Sequence, residues 1–461
     1  MSADPVTARL QAQRDRVLDE LMTLLRFPSV SADPAFAQGM AEATDWLQTL
    51  LEQAGFRGVR RLQAGGHPSL YAETAPRPGL PTILIYGHYD VQPPDPLESW
   101  TSPPFAPDIR DGRLYARGVT DMKGALVAVL AVLRAFLQVE GQCPVNIKLL
   151  LEGEEETGSA TLERILRENL DLLRCDAVIS ADGMRAEGAA PSFGTGCRGN
   201  SRLSVTLRTA TGDLHSGRYG GAVRNAVHEL SRLIASLHDA DGRIQVPDFQ
   251  PPPGLEPAPS LPVDPGPFYA GIGAAPFGDP AIPLAQKLTV HPSIDCNGIT
   301  GGYTGAGSKT IVPATATAKF TLRHAYWQSA TKAVAAFRRH LEAQCGAGVE
   351  IAFTRDAADV DAYVLPRTHP LFLAAQHSLT DLHGHEAAAM LAGGTVPVIP
   401  MLKALLGVET LMLGVSAMDE RAHAPDEFLR LSSFDEALAN WPAVLRALGR
   451  FPPAAFASCP T

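Results

Sequence analysis

The sequence predicts an α/β layer sandwich interrupted by an inserted α+β unit. Strand-like runs at 83–86, 145–151 and 177–180 alternate with helix-like runs at 41–54, 123–137 and 161–173, the order of elements that builds α/β layers. From Arg202 the pattern changes. The stretch "SRLSVTLR" alternates with period two, a helix candidate follows at 223–237, and a Pro-rich segment at 246–283 argues against regular structure. Beyond about residue 372, core-like apolar runs return. The expected organisation is a discontinuous larger domain, 1–196 and 373–461, around an insertion at 197–372.

The N-terminal "MSADPVTARLQAQRDRVLDELMTLL" lacks a basic-then-apolar export pattern, and the spacing of Leu10, Val17, Leu21 and Leu24 predicts an amphipathic helix. A cytoplasmic location is expected. The apolar stretch "GALVAVLAVLRAFL" from Gly124 is too short to cross a bilayer and carries Arg134, so it predicts a core helix. Within the insertion, the Gly-rich "GITGGYTGAGSKT" leads into strand-like "ATAKFTLR" and helical "SATKAVAAFRRHLEAQ". The C-terminal "SSFDEALANWPAVLRAL" shows Ser433 and Glu436 at capping-box spacing before one apolar helical face.

A length of 461 residues with 45% hydrophobic content suits two domains, and a net charge of −10 disfavours nucleic acid or an anionic membrane as partner. Small molecules or peptides are expected instead. Cys143, Cys175, Cys197, Cys296, Cys345 and Cys459 are scattered without CxxC pairs, which predicts neither a disulfide framework nor a thiolate metal site. Any metal must be held by histidine and carboxylate.

Such residues gather at predicted strand ends. The run "TILIYGHYDVQP" ends in His88 and Asp90, which face the same side of an extended segment, so the acid can accept one imidazole N–H while the other nitrogen binds a metal. Asp121 in "YARGVTDMKGALVAV" precedes an apolar helix and reads otherwise as an N-cap. In "LLLEGEEETGSATL" four acids, Glu152, Glu154, Glu155 and Glu156, follow an apolar run; by itself this is a solvated loop. Asp182 ends the strand in "AVISADGM", and His423 stands in "MDERAHAPDEF" after "TLMLGV". Open α/β sheets place their sites at such C-terminal strand ends. Two histidines and several carboxylates suit zinc, manganese or cobalt, whose charge offsets the repulsion within the acid run.

The motifs GHYDVQP, ARGVTDMKGA, EGEEETGS, DLHSG, GGYTGAGSKTIVP and HAPDE together resemble the M20 family of two-metal peptidases, from about residue 20 to the C-terminus. The insertion and DLHSG are most similar to the branch with the cytosolic nonspecific dipeptidases and carnosinases. The resemblance implies a discontinuous three-layer α/β/α metallopeptidase domain with an inserted α+β lid that also dimerises. It implies two divalent metals per subunit, zinc first, with Asp121 bridging, His88 and Asp182 completing one site, and Glu156 and His423 the other. Asp90 then orients His88, and Glu155 is the general base. His215 of DLHSG is expected to stabilise the oxyanion, reaching in from the lid of a partner subunit in a homodimer. Arg323 is expected to pair with the substrate's free carboxylate. Asn225, Gly305, Lys309 and Thr395 lie in loops that similar enzymes use around the substrate. A cis peptide between Asp121 and Met122 is also implied.

Three positions depart from the family pattern. Ala226 follows Asn225 where proline is frequent, Ala424 follows His423 where serine is common, and His324 replaces an apolar residue after Arg323. None is a proposed ligand. The expected activity is metal-dependent hydrolysis of dipeptides or short peptides with a free C-terminus. The same metals would serve an N-acyl-amino-acid deacylase or a carboxypeptidase. A non-catalytic peptide-binding relative would not be expected to keep Glu155 together with all five ligand positions.

Overall fold

The structure, a computed structural model, describes residues 4–186, 191–255, 258, 260 and 262–457. The chain divides into two compact units, one of Met1–Gly196, Leu365–Met390 and Met401–Thr461, the other of Cys197–Val364 and Leu391–Pro400.

In the first unit a large mixed sheet runs in the order Arg57–Leu62, Ser69–Glu73, Asn146–Glu152, Thr82–His88, Ala177–Ser180, Thr410–Met412, Ser192–Cys197. The four consecutive strands from Asn146–Glu152 to Thr410–Met412 are parallel, and the flanking pairs are antiparallel. Parallel strands covered on both faces read as continuous apolar runs. Ala177–Ser180 is accordingly buried at every position. The period-two pattern read at 145–151 is only half realised. Leu150, between the alternating Leu149 and Leu151, is fully buried as well, because parallel and antiparallel neighbours enclose this central strand.

The apolar helix Gly124–Glu140 packs against Pro5–Ala12, Arg14–Leu25 and Leu431–Leu448. With the turn before it, it forms a helical stretch, Val119–Glu140, long and apolar enough to cross a membrane, yet 83% of that window is buried within the protein. It is a core helix. The N-terminal amphipathic pattern is carried by two helices that meet at Gln13. The expected helix at 161–173 is likewise broken at Asn169, into Leu162–Glu168 and Leu170–Leu173. The capping box at Ser433 and Glu436 does not form. The helix already begins at Leu431, and both side chains are taken by Arg185, whose guanidinium donates to the Ser433 hydroxyl and pairs with Glu436 at 3.0 Å. The described cysteines Cys143, Cys175, Cys197, Cys296 and Cys345 are free; Cys459 lies outside the described residues.

The second unit carries a four-stranded antiparallel sheet in the order Ser293–Gly301, Thr315–His324, Gly199–Arg208, Glu350–Arg355. Gly199–Arg208 alternates between buried and less buried positions, as a one-sided sheet requires. Its inward Leu203, Val205 and Leu207 join Phe320, Leu230 and Phe337 in one core. The Gly-rich segment is not loop from its start, because its first residues extend the strand Ser293–Gly301. The Pro-rich segment also holds a helix, Pro265–Ile272. Asp264 caps it by accepting from the Gly266 N–H, and Pro265 sits at the first helical position, where a missing N–H costs nothing.

His324 is wholly buried in this unit. One ring nitrogen meets the Ser201 hydroxyl at 2.9 Å and Nδ1 has no partner. Burial pushes its pKa from 6.5 down to about 4. Below pH 6.5 the unfolded chain therefore takes a proton that the folded chain resists. The contribution to stability is full above the unfolded value and is lost as pH falls through the folded one. His324→Leu is expected to flatten the fall of unfolding free energy between pH 6.5 and 4 by the uptake of one proton, measured by denaturant titration across that range. An undiminished slope would assign the acid sensitivity to other groups.

Candidate functional site

The parallel strands deliver the acids and histidines to one end of the sheet. His88 is the last residue of Thr82–His88 and lies level with Glu152 on the neighbouring strand. Glu155 and Glu156 follow in a short helical turn, and Asp182 stands two residues beyond Ala177–Ser180. Asp121 is not an N-cap. Its backbone is extended, at φ −123° and ψ 94°, the helix starts only at Gly124, and the Asp121–Met122 peptide is cis.

Asp121 lies between the two histidines. His88 Nε2 is 3.2 Å from its Oδ1, and His423 Nε2 is 3.0 Å from its Oδ2. His423 Nε2 is also 3.3 Å from Glu156 Oε2. His88, Asp121 and Asp182 form one set whose donor atoms lie within 4.8 Å of one another, and Asp121, Glu156 and His423 form a second. Glu155 belongs to neither. Glu152 and Glu154 face elsewhere: Glu152 accepts from the Tyr86 hydroxyl at 2.6 Å, and Glu154 from the His67 N–H at 2.9 Å and from Thr161.

Two contacts are not legible in the sequence, that of Asp90 with the acid turn and that of Gln92 with Glu156. His88 Nδ1 lies 3.1 Å from the Asp90 carbonyl and 3.4 Å from its Oδ1. The Asp90 carboxylate mainly accepts the backbone N–H groups of Glu155, at 3.2 Å, and Glu156, at 3.0 Å, with the Ser31 hydroxyl at 2.6 Å. One buried acid thus touches the histidine strand and also sets the acid turn. Gln92 donates to Glu156 Oε2 at 2.8 Å, while Glu156 Oε1 is buried without a partner. Gln92 stands inside the GHYDVQP motif, the signal that could have found it.

The other candidates lie in the second unit. His215 pairs with Ile311 across a two-stranded ladder, and its Nδ1 accepts from the Gly217 N–H at 3.0 Å. Asn225 caps the helix Ala226–Ala235, its Oδ1 accepting from Val227 and His228. Lys309 stands 5.9 Å from the centre of the Tyr303 ring, and Gly305 lies close to the same ring. Arg323 donates to the Thr395 hydroxyl at 2.9 Å, which donates to the Arg198 carbonyl at 2.7 Å. Arg198, which no motif marks, in turn holds the carbonyls of Gly393 at 2.8 Å and His291 at 3.0 Å. Burial and the neighbouring Arg323 charge push its pKa down to about 10.

A family model described as peptidase family M20/M25/M40 matches residues 84–447. The chain belongs to this family. It is 30% identical to the mouse (Mus musculus) Beta-Ala-His dipeptidase over 373 residues, 78% of this chain and 75% of the relative. It is 29% identical to the Cysteinylglycine-S-conjugate dipeptidase of Corynebacterium striatum, over 92% of this chain and 94% of that one. Among solved structures, an M20 family metallo-carboxypeptidase from Sulfolobus solfataricus superimposes with a TM-score of 0.75 at 28% identity, covering 94% of this chain and 99% of that chain.

The electrostatics of this M20 peptidase show what its cluster attracts. Burial alone would lower the pKa of His88, but hydrogen bonding to Asp121 and Asp90 reverses the sign and holds it well above the usual value. Hydrogen bonding to Asp121 and Glu156 raises His423 to about 10. Burial opposes ionisation of Asp121, yet its bonds to the two histidines keep it below the ordinary carboxylate range. Burial, with the Asp121 charge, raises Asp182 to about 6. The three acids and two imidazoles of the donor sets, gathered in this way, draw positive charge. Each set offers imidazole nitrogen with carboxylate oxygen, the donors of borderline divalent ions, and the unpartnered Glu156 oxygen adds a free lone pair. The residues fit a pair of divalent cations.

Proposed function

We propose that this chain is a metal-dependent dipeptidase that hydrolyses dipeptides or short peptides with a free C-terminal carboxylate. The observation that carries the reading is Asp121, shared by two donor sets, with an acid, Glu155, beside them and in neither. Similarity to two dipeptidases over most of the chain supports the substrate class.

His88 and Asp182 would hold one ion, Glu156 and His423 the other, and Asp121 both. Zinc is the proposed metal. Such ions supply Lewis acidity at the scissile carbonyl. Glu155 is the general base, taking a proton from the attacking water and returning it to the leaving amine. In the metal-free site burial, opposed by His88 and reinforced by Asp182, Glu156 and Asp121, pushes its pKa up to about 8, and bound cations would offset those neighbouring charges and favour the ionised form that a base requires. Asp90 keeps His88 oriented through Nδ1 and fixes the backbone of Glu155 and Glu156. At His215 the Gly217 N–H occupies Nδ1, so in the neutral ring the proton sits on Nε2. That leaves Nε2 as a donor suited to an oxyanion. The proposal includes the insertion at 197–372 as lid and dimerisation unit and Asn225, Gly305, Lys309 and Thr395 around the substrate. It also includes a cytoplasmic location, which the free state of the five cysteines among the described residues suits.

Arg323 binds the substrate carboxylate in this reading, held in place by Thr395. The test is a panel of free dipeptides, C-terminally amidated dipeptides and N-acetyl amino acids, with added zinc and with a chelator. Free dipeptides are expected to be hydrolysed fastest, and only with metal. Arg323→Met is expected to raise KM by about 10-fold or more for free dipeptides and little for amidated ones, since a bidentate charge-assisted pair is lost only where a carboxylate exists. Preference for N-acetyl amino acids would make the enzyme a deacylase, and removal of single C-terminal residues from long peptides would make it a carboxypeptidase.

A further inference from the structure

We propose that Glu420 and Glu427, two buried acids on either side of His423 in sequence, form a clamp that positions Asp121 and His423 for metal binding, with Glu427 the principal positioning residue. The inference rests on the metal reading above. Neither acid belongs to a donor set. Both are almost wholly inaccessible, and a buried carboxylate is tolerated only when its lone pairs are satisfied.

What satisfies them is specific. Glu427 Oε2 accepts from Arg117 Nη1 and from the Gly118 N–H, both at 2.8 Å. Its Oε1 accepts from the N–H groups of Thr120 at 3.0 Å and Asp121 at 3.2 Å. One side chain thus holds the backbone of the turn whose Asp121 carboxylate lies between His88 and His423. Glu420 Oε2 accepts from the Thr120 hydroxyl at 2.7 Å and the Ala417 N–H at 2.9 Å. Its Oε1 accepts from the Arg430 N–H at 3.0 Å. The turn and the loop are therefore joined at two points, one on each side of His423.

The loop needs such support. His423 has φ 64°, and Arg421 and Asp426 have φ 60° and 56°, a left-handed conformation that residues other than glycine rarely adopt. Backbone of this kind persists where its surroundings over-determine it. Asp426 adds a third tether, accepting from the Thr101 N–H at 2.8 Å and its hydroxyl at 2.7 Å. The clamp fixes in one step the carboxylate common to both donor sets and the histidine of the second.

The test uses metal-free full-length protein, titrated with zinc against a chromophoric chelator, with Tm recorded in parallel. Glu427→Gln keeps the shape but turns an NH2 group toward two of the four donors, and it is expected to weaken zinc binding by about 10- to 100-fold. Thr120→Val removes only the hydroxyl bond to Glu420, and a loss of about 3-fold or more is expected. Arg134→Met serves as control: it cuts the bonds from Arg134 to Glu20, at 2.9 and 2.8 Å, and should lower Tm with zinc affinity unchanged. Unaltered affinity in both clamp variants overturns the inference, as does an equal loss in the control. If Glu427→Gln does not fold, Thr120→Val decides alone. A wild-type chain that takes up none of zinc, manganese or cobalt overturns the metal reading and this inference with it. A metal-binding wild type with indifferent clamp variants overturns the inference alone.

Discussion

Glu155→Gln is expected to reduce kcat by about 10²- to 10⁴-fold, the range of a lost general base, while both metals stay bound. Glu155 lies outside both donor sets, so an amide there removes the proton carrier without removing a ligand. Its neighbour should behave in the opposite way. Glu156 faces His423 Nε2 at 3.3 Å, and Glu156→Gln is expected to lose one ion. Asp121→Asn should be the most severe, because a single carboxylate, one oxygen toward each histidine, serves both sets, and an amide nitrogen has no lone pair to offer a metal. Metal content by elemental analysis, read beside kcat, separates the three roles. Metal loss in Glu155→Gln with retention in Glu156→Gln would exchange their assignments, and two tightly held ions in Asp121→Asn would remove its bridging role.

His215→Ala is expected to cost about 10²- to 10³-fold in kcat, as removal of an oxyanion donor does. If the histidine serves the partner subunit's metals, mixing it with Glu155→Gln gives an informative hybrid. One site of that dimer then carries both defects and the other carries neither, so activity returns after subunit exchange or co-expression. If His215 serves its own chain, each site keeps one defect and the hybrid stays inactive. Absence of recovery in verified hybrid dimers would sink the shared-site proposal.

What the sequence made legible follows from what is local. Residues 83–86 and 177–180 stand out because central parallel strands are continuously apolar, and their ends mark His88 and Asp182. The role of Asp90 was only partly visible. H-x-D spacing suggested contact with His88, but nothing local links Asp90 to the amides of Glu155 and Glu156, more than sixty residues on. Nothing local marks Glu420 and Glu427 as buried, although Glu427 closes the HAPDE motif, since burial is not written in a loop's composition. Ser433 and Glu436 had the spacing of a cap, but a distant arginine, Arg185, took both. The Pro265 helix was missed for another reason. Proline in a Pro-rich run argues against a helix, but Pro265 at the first helical position starts one.

The place of Thr410–Met412 in the sheet has a consequence for how the protein is made. This strand lies between Ala177–Ser180 and Ser192–Cys197, both of which leave the ribosome long before it. At roughly 5–20 residues per second, the nascent chain spends on the order of ten seconds or more with the Ala177–Ser180 edge unpaired on that side. An open edge of this kind invites pairing with other chains. His423 emerges later still. The nascent polypeptide therefore carries its cluster of acids without the second histidine, and the second proposed donor set is complete only after synthesis of the C-terminal segment. Truncation or premature termination anywhere before Thr410 would leave a split sheet, a fragment prone to aggregate and never able to mature.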